Sequence, residues 1–148
     1  MKISTKGRYG LRAVIDLAAN CQGENAPVRA SVKEIARRQG LSENYLEQLI
    51  FPLKKAGILQ SVRGAQGGYF LAKPADKITA GEVLRALEGD LAPVECLCED
   101  EGARCGRAEI CLALPLWKKL QAAIDSVLNN VTIQDLLKDV AGDPSHVL

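Results

Sequence analysis

The chain has few aromatic rings: 4% of its 148 residues, as two Phe, three Tyr and one Trp. Proteins that grip single-stranded nucleic acid stack bases on exposed rings, so this composition counts against that activity. There is one histidine, His146, and it falls in a C-terminal segment, GDPSHVL, that reads as a frayed tail. It reads as a bystander, and no Cys/His dyad for nucleophilic catalysis can be assembled. No apolar run approaches the roughly 18 residues of a membrane span. The start, MKISTKGRYG, is basic but has no apolar signal core behind it, so the chain is expected in the cytoplasm.

What is present is ordinary for a folded domain. Hydrophobic residues make up 47% and charged residues 25%, and the length suits one aliphatic core. The formal charge of +1 conceals a division. Residues 1–73 hold 12 Lys and Arg against 5 Asp and Glu, a balance of +7, while residues 74–148 hold 7 against 13, a balance of −6. A basic half attracts a polyanion, because each phosphate it neutralises releases condensed counterions. An acidic half is repelled by the same phosphates and is expected to face away.

Periodicity and capping signals give the elements. A first helix is expected over about Lys6 to Asn20, capped by Ser4 or Thr5. Ser31-x-x-Glu34 is a capping box that opens a short helix ending at Gly40. Ser42 caps the next helix, which carries Tyr45, Leu46, Leu49, Ile50 and Leu53 and ends at Gly57, and Pro52 is expected to bend it or tighten a turn. The apolar period then shortens to two. Residues 58–63 and 69–71 read as strands, and GAQGG between them supplies the glycines of a hairpin. Thr79-x-x-Glu82 opens a fourth helix, and Thr132 caps a last short one. Between these, Trp117, Leu120, Ile124, Val127 and Val131 alternate spacings of three and four, as a heptad seam does.

Two short helices joined by Gly40-Leu41-Ser42, followed at once by a glycine-rich hairpin, read as a winged helix-turn-helix. The expected fold class is mainly α with one small β-hairpin: a DNA-binding domain over residues 1–90, a cysteine-rich loop over 91–111, a dimerisation helix and short terminal helix over 112–140, and a flexible tail over 141–148. In such a domain the second helix lies in the major groove with its N-terminal residues at the base edges. Those residues are Ser42, Asn44, Tyr45, Glu47 and Gln48. Asn44 and Gln48 share a face one turn apart, and amides pair bidentately with adenine; Glu47 can accept from cytosine N4. Ser42 and Tyr45 suit phosphate. Arg63, Gln66 and Gly67 belong to the wing, and Lys2, Lys6, Arg8, Arg37, Arg38, Lys54 and Lys55 would supply further phosphate attraction. The seam helix suits a homodimer, since palindromic sites match two-fold symmetry, although it could instead pack within one chain.

Four of the five cysteines form the pattern Cys96-x-Cys98-x6-Cys105-x5-Cys111 in a charged, glycine-containing stretch; Cys21 stands alone and reads as a small buried hydrophobe. In a reducing compartment such a cluster points to metal or redox chemistry rather than disulfides. The spacing lacks the paired C-x2-C units of a zinc knuckle. An iron–sulphur cluster suits it best, with zinc and a metal-free thiol switch as alternatives.

The segments MKISTKGRYGLRAVIDLA, LSENYLEQLIFPLKKAGILQSVRGAQGGYFL and ITAGEVLRALEG resemble the family of winged-helix regulators that includes IscR, CymR and NsrR, over nearly the whole chain to about residue 140. The resemblance implies a dimeric bacterial transcriptional regulator on double-stranded DNA. The N-terminal half is similar to CymR-like members, which regulate cysteine metabolism and lack the cysteine loop. Cys105-x5-Cys111-Leu-x-Leu-Pro-Leu-Trp117 resembles IscR-like members, whose three cysteines and one histidine hold a 2Fe–2S cluster and which regulate cluster assembly. Carried over, Cys105 and Cys111 match the second and third cysteines, and Cys96 or Cys98 the first. The family's histidine position is Leu114, which cannot ligate. Both Cys96 and Cys98, an acid such as Glu95 or Glu99, or a partner subunit are left as sources of the fourth ligand. Nitric-oxide-sensing relatives take one from the partner's first helix, where this chain has the unsuitable Arg8. The rival expectation is a CymR-like regulator without a cluster, controlled by docking a metabolic enzyme or by thiol oxidation.

Overall fold

A computed structural model describes residues 2–21, 28–98 and 105–142. The element order is α1 (Thr5–Asn20), α2 (Val32–Gln39), α3 (Glu43–Lys55), β1 (Leu59–Val62), β2 (Gly68–Leu71), α4 (Ala80–Glu88), α5 (Leu114–Asn130) and α6 (Ile133–Ala141). The expected tail lies almost wholly outside the described residues, as do His146 and Glu99. Among those described, no helix is long and apolar enough to cross a membrane.

Side-chain caps set the helix starts. Ser4, Ser31, Ser42, Thr79 and Thr132 each accept a hydrogen bond from a backbone N–H in the first turn of α1, α2, α3, α4 and α6. At Ser31, Thr79 and Thr132 an acid three residues on returns the bond, completing a capping box. Gly40 ends α2 in the left-handed conformation, at φ 65°, which admits the sharp entry to α3. α3 runs through Pro52 to Lys55. Proline withholds only the N–H that would have bonded the carbonyl of Gln48, near the end of a helix whose other face is anchored in the core.

The core gathers Val14 and Leu17 from α1, Ile35 from α2, Leu46, Leu49 and Leu53 from α3, Ile58 and Leu59 at the wing, Val83 from α4 and Ile133 from α6. β1 and β2 pair antiparallel, with Leu59 opposite Leu71 and Val62 opposite Gly68. Ala30 joins them as a third rung: its N–H donates to the Tyr69 carbonyl at 3.1 Å and its carbonyl accepts from the Tyr69 N–H at 2.8 Å. Gly68 is required there twice, by its φ of 154° and because a Cβ would lie 2.8 Å from the Ala30 carbonyl oxygen.

One acid is buried. Asp16, 3% exposed, accepts from Arg38 Nη2 at 2.6 Å, from Arg38 Nε at 2.9 and 3.0 Å, and from Gln39 Nε2 at 3.0 Å. This corrects the assignment of Arg38 to phosphate. Its guanidinium is committed to α1, and the hydrogen bonds it donates to Asp16 raise its pKa. Asp16→Ala leaves that cation without its counter-charge and should lower unfolding stability by about 3 kcal/mol, read as a lower urea midpoint.

The capping acids set the acid limb. Hydrogen bonds from Ser31 hold the Glu34 pKa below its ordinary value. Lys73 and then the Thr79 N–H do so for Glu82, and the Thr132 hydroxyl and N–H for Asp135. A depressed folded-state pKa adds stability that is complete above the unfolded value, about 4, and is lost as pH falls through the folded one. Glu82→Gln should therefore flatten the loss of stability below about pH 4 without changing its course between pH 6 and 8.

Candidate nucleic-acid interface

The buried face of α3 fixes what the opposite face offers. With Leu46, Leu49, Ile50 and Leu53 in the core, Glu43, Asn44, Glu47, Gln48, Phe51, Lys54 and Lys55 are exposed. The two amides and Glu47 thus stand on one solvent-facing stripe, as their spacing suggested. Ser42 is the N-cap, its Oγ accepting from the Tyr45 N–H at 3.2 Å. The Tyr45 ring is half-buried and meets the Tyr9 ring edge-on, 6.3 Å between centroids, while the Arg12 guanidinium lies over Tyr9 at 5.2 Å.

The wing is held against this helix. Lys54 Nζ donates to Ser61 Oγ at 2.7 Å and sits 5.8 Å from the centre of the Tyr69 ring, so this lysine joins α3 to the hairpin while remaining exposed. At the tip, the Gly67 N–H donates to the Gly64 carbonyl at 2.9 Å, and a Cβ on Gly67 would collide with the Val62 carbonyl oxygen. Arg29 Nη1 donates to the Gln66 carbonyl at 3.4 Å, an anchor that sequence periodicity does not signal. Arg63 and Gln66 are exposed beside it, Gly67 half-buried. Lys2, Lys6 and Arg8 are exposed at the start of α1, where Arg8 Nη2 donates to Thr5 Oγ1 at 3.3 Å.

Cys96, Cys98 and Cys111 are half-buried and Cys105 is exposed, while residues 99–104 lie outside those described. Four thiols are a donor set that suits iron–sulphur or zinc. Among the described residues, however, no three Cys, His, Asp or Glu side chains are grouped so as to hold a metal ion. Leu114, at the family's histidine position, begins α5 and offers no donor atom. Cys21 caps the end of α1 against the core, and burial pushes its thiol pKa up.

α5 has no fully buried residue. Of the seam residues, Trp117, Ile124 and Val131 are half-buried, whereas Leu120 and Val127 are exposed by 42% and 60%. Leu112 and Leu116, which the seam omitted, are exposed by 98% and 58%. Leu116, Leu120, Ala123 and Val127 recur at four, three and four residues, so the outward stripe has a helical spacing of its own beside that of the seam. Asp125 faces α4 and accepts from Arg85 Nη2 at 2.9 Å.

A helical core, the capped helix α3 with its exposed polar face and a hairpin tied to its end define a winged helix-turn-helix transcriptional regulator. A family model described as Rrf2, iron-dependent transcriptional regulator, matches residues 3–139, and the chain belongs to that family. It is 45% identical over 143 residues to the HTH-type transcriptional regulator CymR of Bacillus subtilis, covering 97% of this chain and 94% of that one. To IscR of Vibrio atlanticus it is 39% identical, over 94% of this chain and 76% of the relative. Its structure is similar to that of T. potens IscR with a TM-score of 0.73 at 42% identity, over 100% and 93% of the two chains. The corresponding comparison with B. subtilis CymR gives 0.70 at 45% identity, over 92% and 95%. These relatives are transcriptional regulators by name, not enzymes.

The exposed positions separate two kinds of contact. Arg63→Ala should weaken binding to operator and random duplex alike and reduce the salt slope by about one unit. Gln48→Ala should relax preference at one base position, by about 1–3 kcal/mol, while leaving binding to random DNA unchanged. Competition titrations at two salt concentrations separate them.

Proposed function

We propose that the chain is a homodimeric regulator that reads duplex DNA with α3 and the wing, and whose cysteine segment takes a 2Fe–2S cluster that sets which operators are bound. The observation that carries the DNA reading is the free Asn44–Gln48 face of α3 set beside a glycine hairpin in the basic half. Ser42, Asn44, Tyr45, Glu47 and Gln48 present the helix to the groove. Arg63, Gln66 and Gly67 of the wing, with Lys2, Lys6, Arg8, Lys54 and Lys55, hold the phosphates. Exposed apolar side chains along α5, among them Leu120 and Val127, support pairing of two copies, which would set two half-sites about 34–36 Å apart.

Cys96, Cys98, Cys105 and Cys111 would hold the cluster, and the likeness to IscR proteins supports this. When bound, the cluster supplies a centre sensitive to iron supply and oxidation. The chain's own part follows from connectivity. The cysteine segment lies between α4, packed on the DNA-reading core, and α5, so closing residues 96–111 around any ligand constrains how α5 stands on α4. That placement sets the separation of two recognition helices in a dimer.

A second reading is a CymR-like regulator of cysteine metabolism without a cluster, governed by thiol oxidation or a docked enzyme; the 45% identity to CymR favours it. Iron and acid-labile sulphide assayed on anaerobically purified protein discriminate. Brown protein whose absorbance above 400 nm is lost in Cys105→Ala supports the first reading. Colourless, iron-free wild type with unchanged DNA binding overturns it in favour of the second. Replacing Leu120 and Val127 together by Asp should give a monomer by light scattering, with operator affinity reduced at least tenfold.

A further inference from the structure

On the outward face of α3 one side chain does not match its neighbours: Phe51, 72% exposed among amides, acids and lysines. At about 100° per residue, Asn44, Gln48, Phe51 and Lys55 fall within an arc of about 60°, opposite the buried Leu46, Leu49 and Leu53. No rotation of the ring about its own side-chain bonds brings it to the core. The only other phenylalanine, Phe70, is half-buried in β2. The face is also set for a polyanion: Lys55 shares the arc, Lys54 flanks it, and the surrounding half of the chain carries +7.

We propose that Phe51 is a base-reading residue whose ring packs on the 5-methyl group of a thymine in the major groove. The inference rests on the DNA-binding reading above and adds the base that this position selects. Among the base edges in that groove only thymine carries an apolar group, so an apolar side chain there discriminates where amides cannot. The axial rise puts Phe51 about 4.5 Å from Gln48, near the spacing of one base step, so the selected thymine lies within one or two base pairs of the position Gln48 reads.

The test uses the full chain and an operator recovered by that chain from random duplex DNA. Each thymine is replaced singly by uracil, which removes only the methyl group. Wild type should lose about fourfold in affinity at one thymine per half-site, the effect of one methyl-sized apolar contact. Phe51→Ala should bind thymine and uracil alike there, and Phe51→Leu should restore part of the difference. Because the ring is exposed, both variants should melt with the wild type. Wild type that prefers its operator yet ignores every uracil overturns the proposal and leaves the DNA reading standing. So does Phe51→Ala that keeps the fourfold difference. A Phe51→Ala change in oligomeric state with thymine sensitivity retained also overturns it, placing the ring between subunits. Wild type that recovers no sequence at all overturns the DNA reading itself.

Discussion

The Asp16 carboxylate is the constraint on which the arrangement of the first three helices turns. A buried charge is tolerable only when its partners are fixed, and here the partners come from the last turn of α2. Arg12 adds a second tie from α1, its Nε donating to Gln39 Oε1 at 3.1 Å. The end of α2 is therefore located on α1 by directional bonds. Gly40 and Ser42 then launch α3 from that fixed point. Apolar packing supplies most of the stability of such a core, but it is indifferent to small rotations. The hydrogen bonds to Asp16 define the angle at which the polar face of α3 is presented.

A second tie acts at the other end of the domain. Glu88, at the end of α4, accepts from the Ser4 and Gly7 N–H groups and from the Ser4 hydroxyl, so it caps α1 from 84 residues away. Gly7 has no Cβ because that carboxylate occupies the space. An acid at a helix N-terminus also complements the helix dipole. The basic start of α1, with Lys2, Lys6 and Arg8, is thereby fastened to the helix against which α5 packs. α5 and the basic start of α1 are thus joined through α4 by one short chain of contacts.

Much of this was legible because it is local. Caps at Ser31, Ser42, Thr79 and Thr132, the change of period at residue 58 and the glycines of the wing each report on a few neighbouring residues. What escaped depended on distant partners. Arg38 reads as one more surface cation until Asp16 is brought beside it. Glu88 looks like the last residue of an amphipathic helix until Ser4 arrives. The outward stripe of α5 is periodic, but so is its neighbour, and spacing alone does not say which faces α4. Cys96, Cys98, Cys105 and Cys111 are legible as chemistry, since four thiols identify soft ligands; how they gather depends on long-range geometry.

The bridge between residues 79 and 132 brings the C-terminal helix back into the centre of the molecule. The Ala80 N–H donates to the Val131 carbonyl at 2.8 Å, the Ile133 N–H to the Ile78 carbonyl at 2.9 Å, and Ile133 is wholly enclosed. A fragment ending after the hairpin or after α4 would keep the helix-turn-helix and the wing and still have a void where that isoleucine belongs. The reading head is thus not a detachable cassette. Whatever α5 and the segment before it do, the chain must return to close the core that the first four helices leave open.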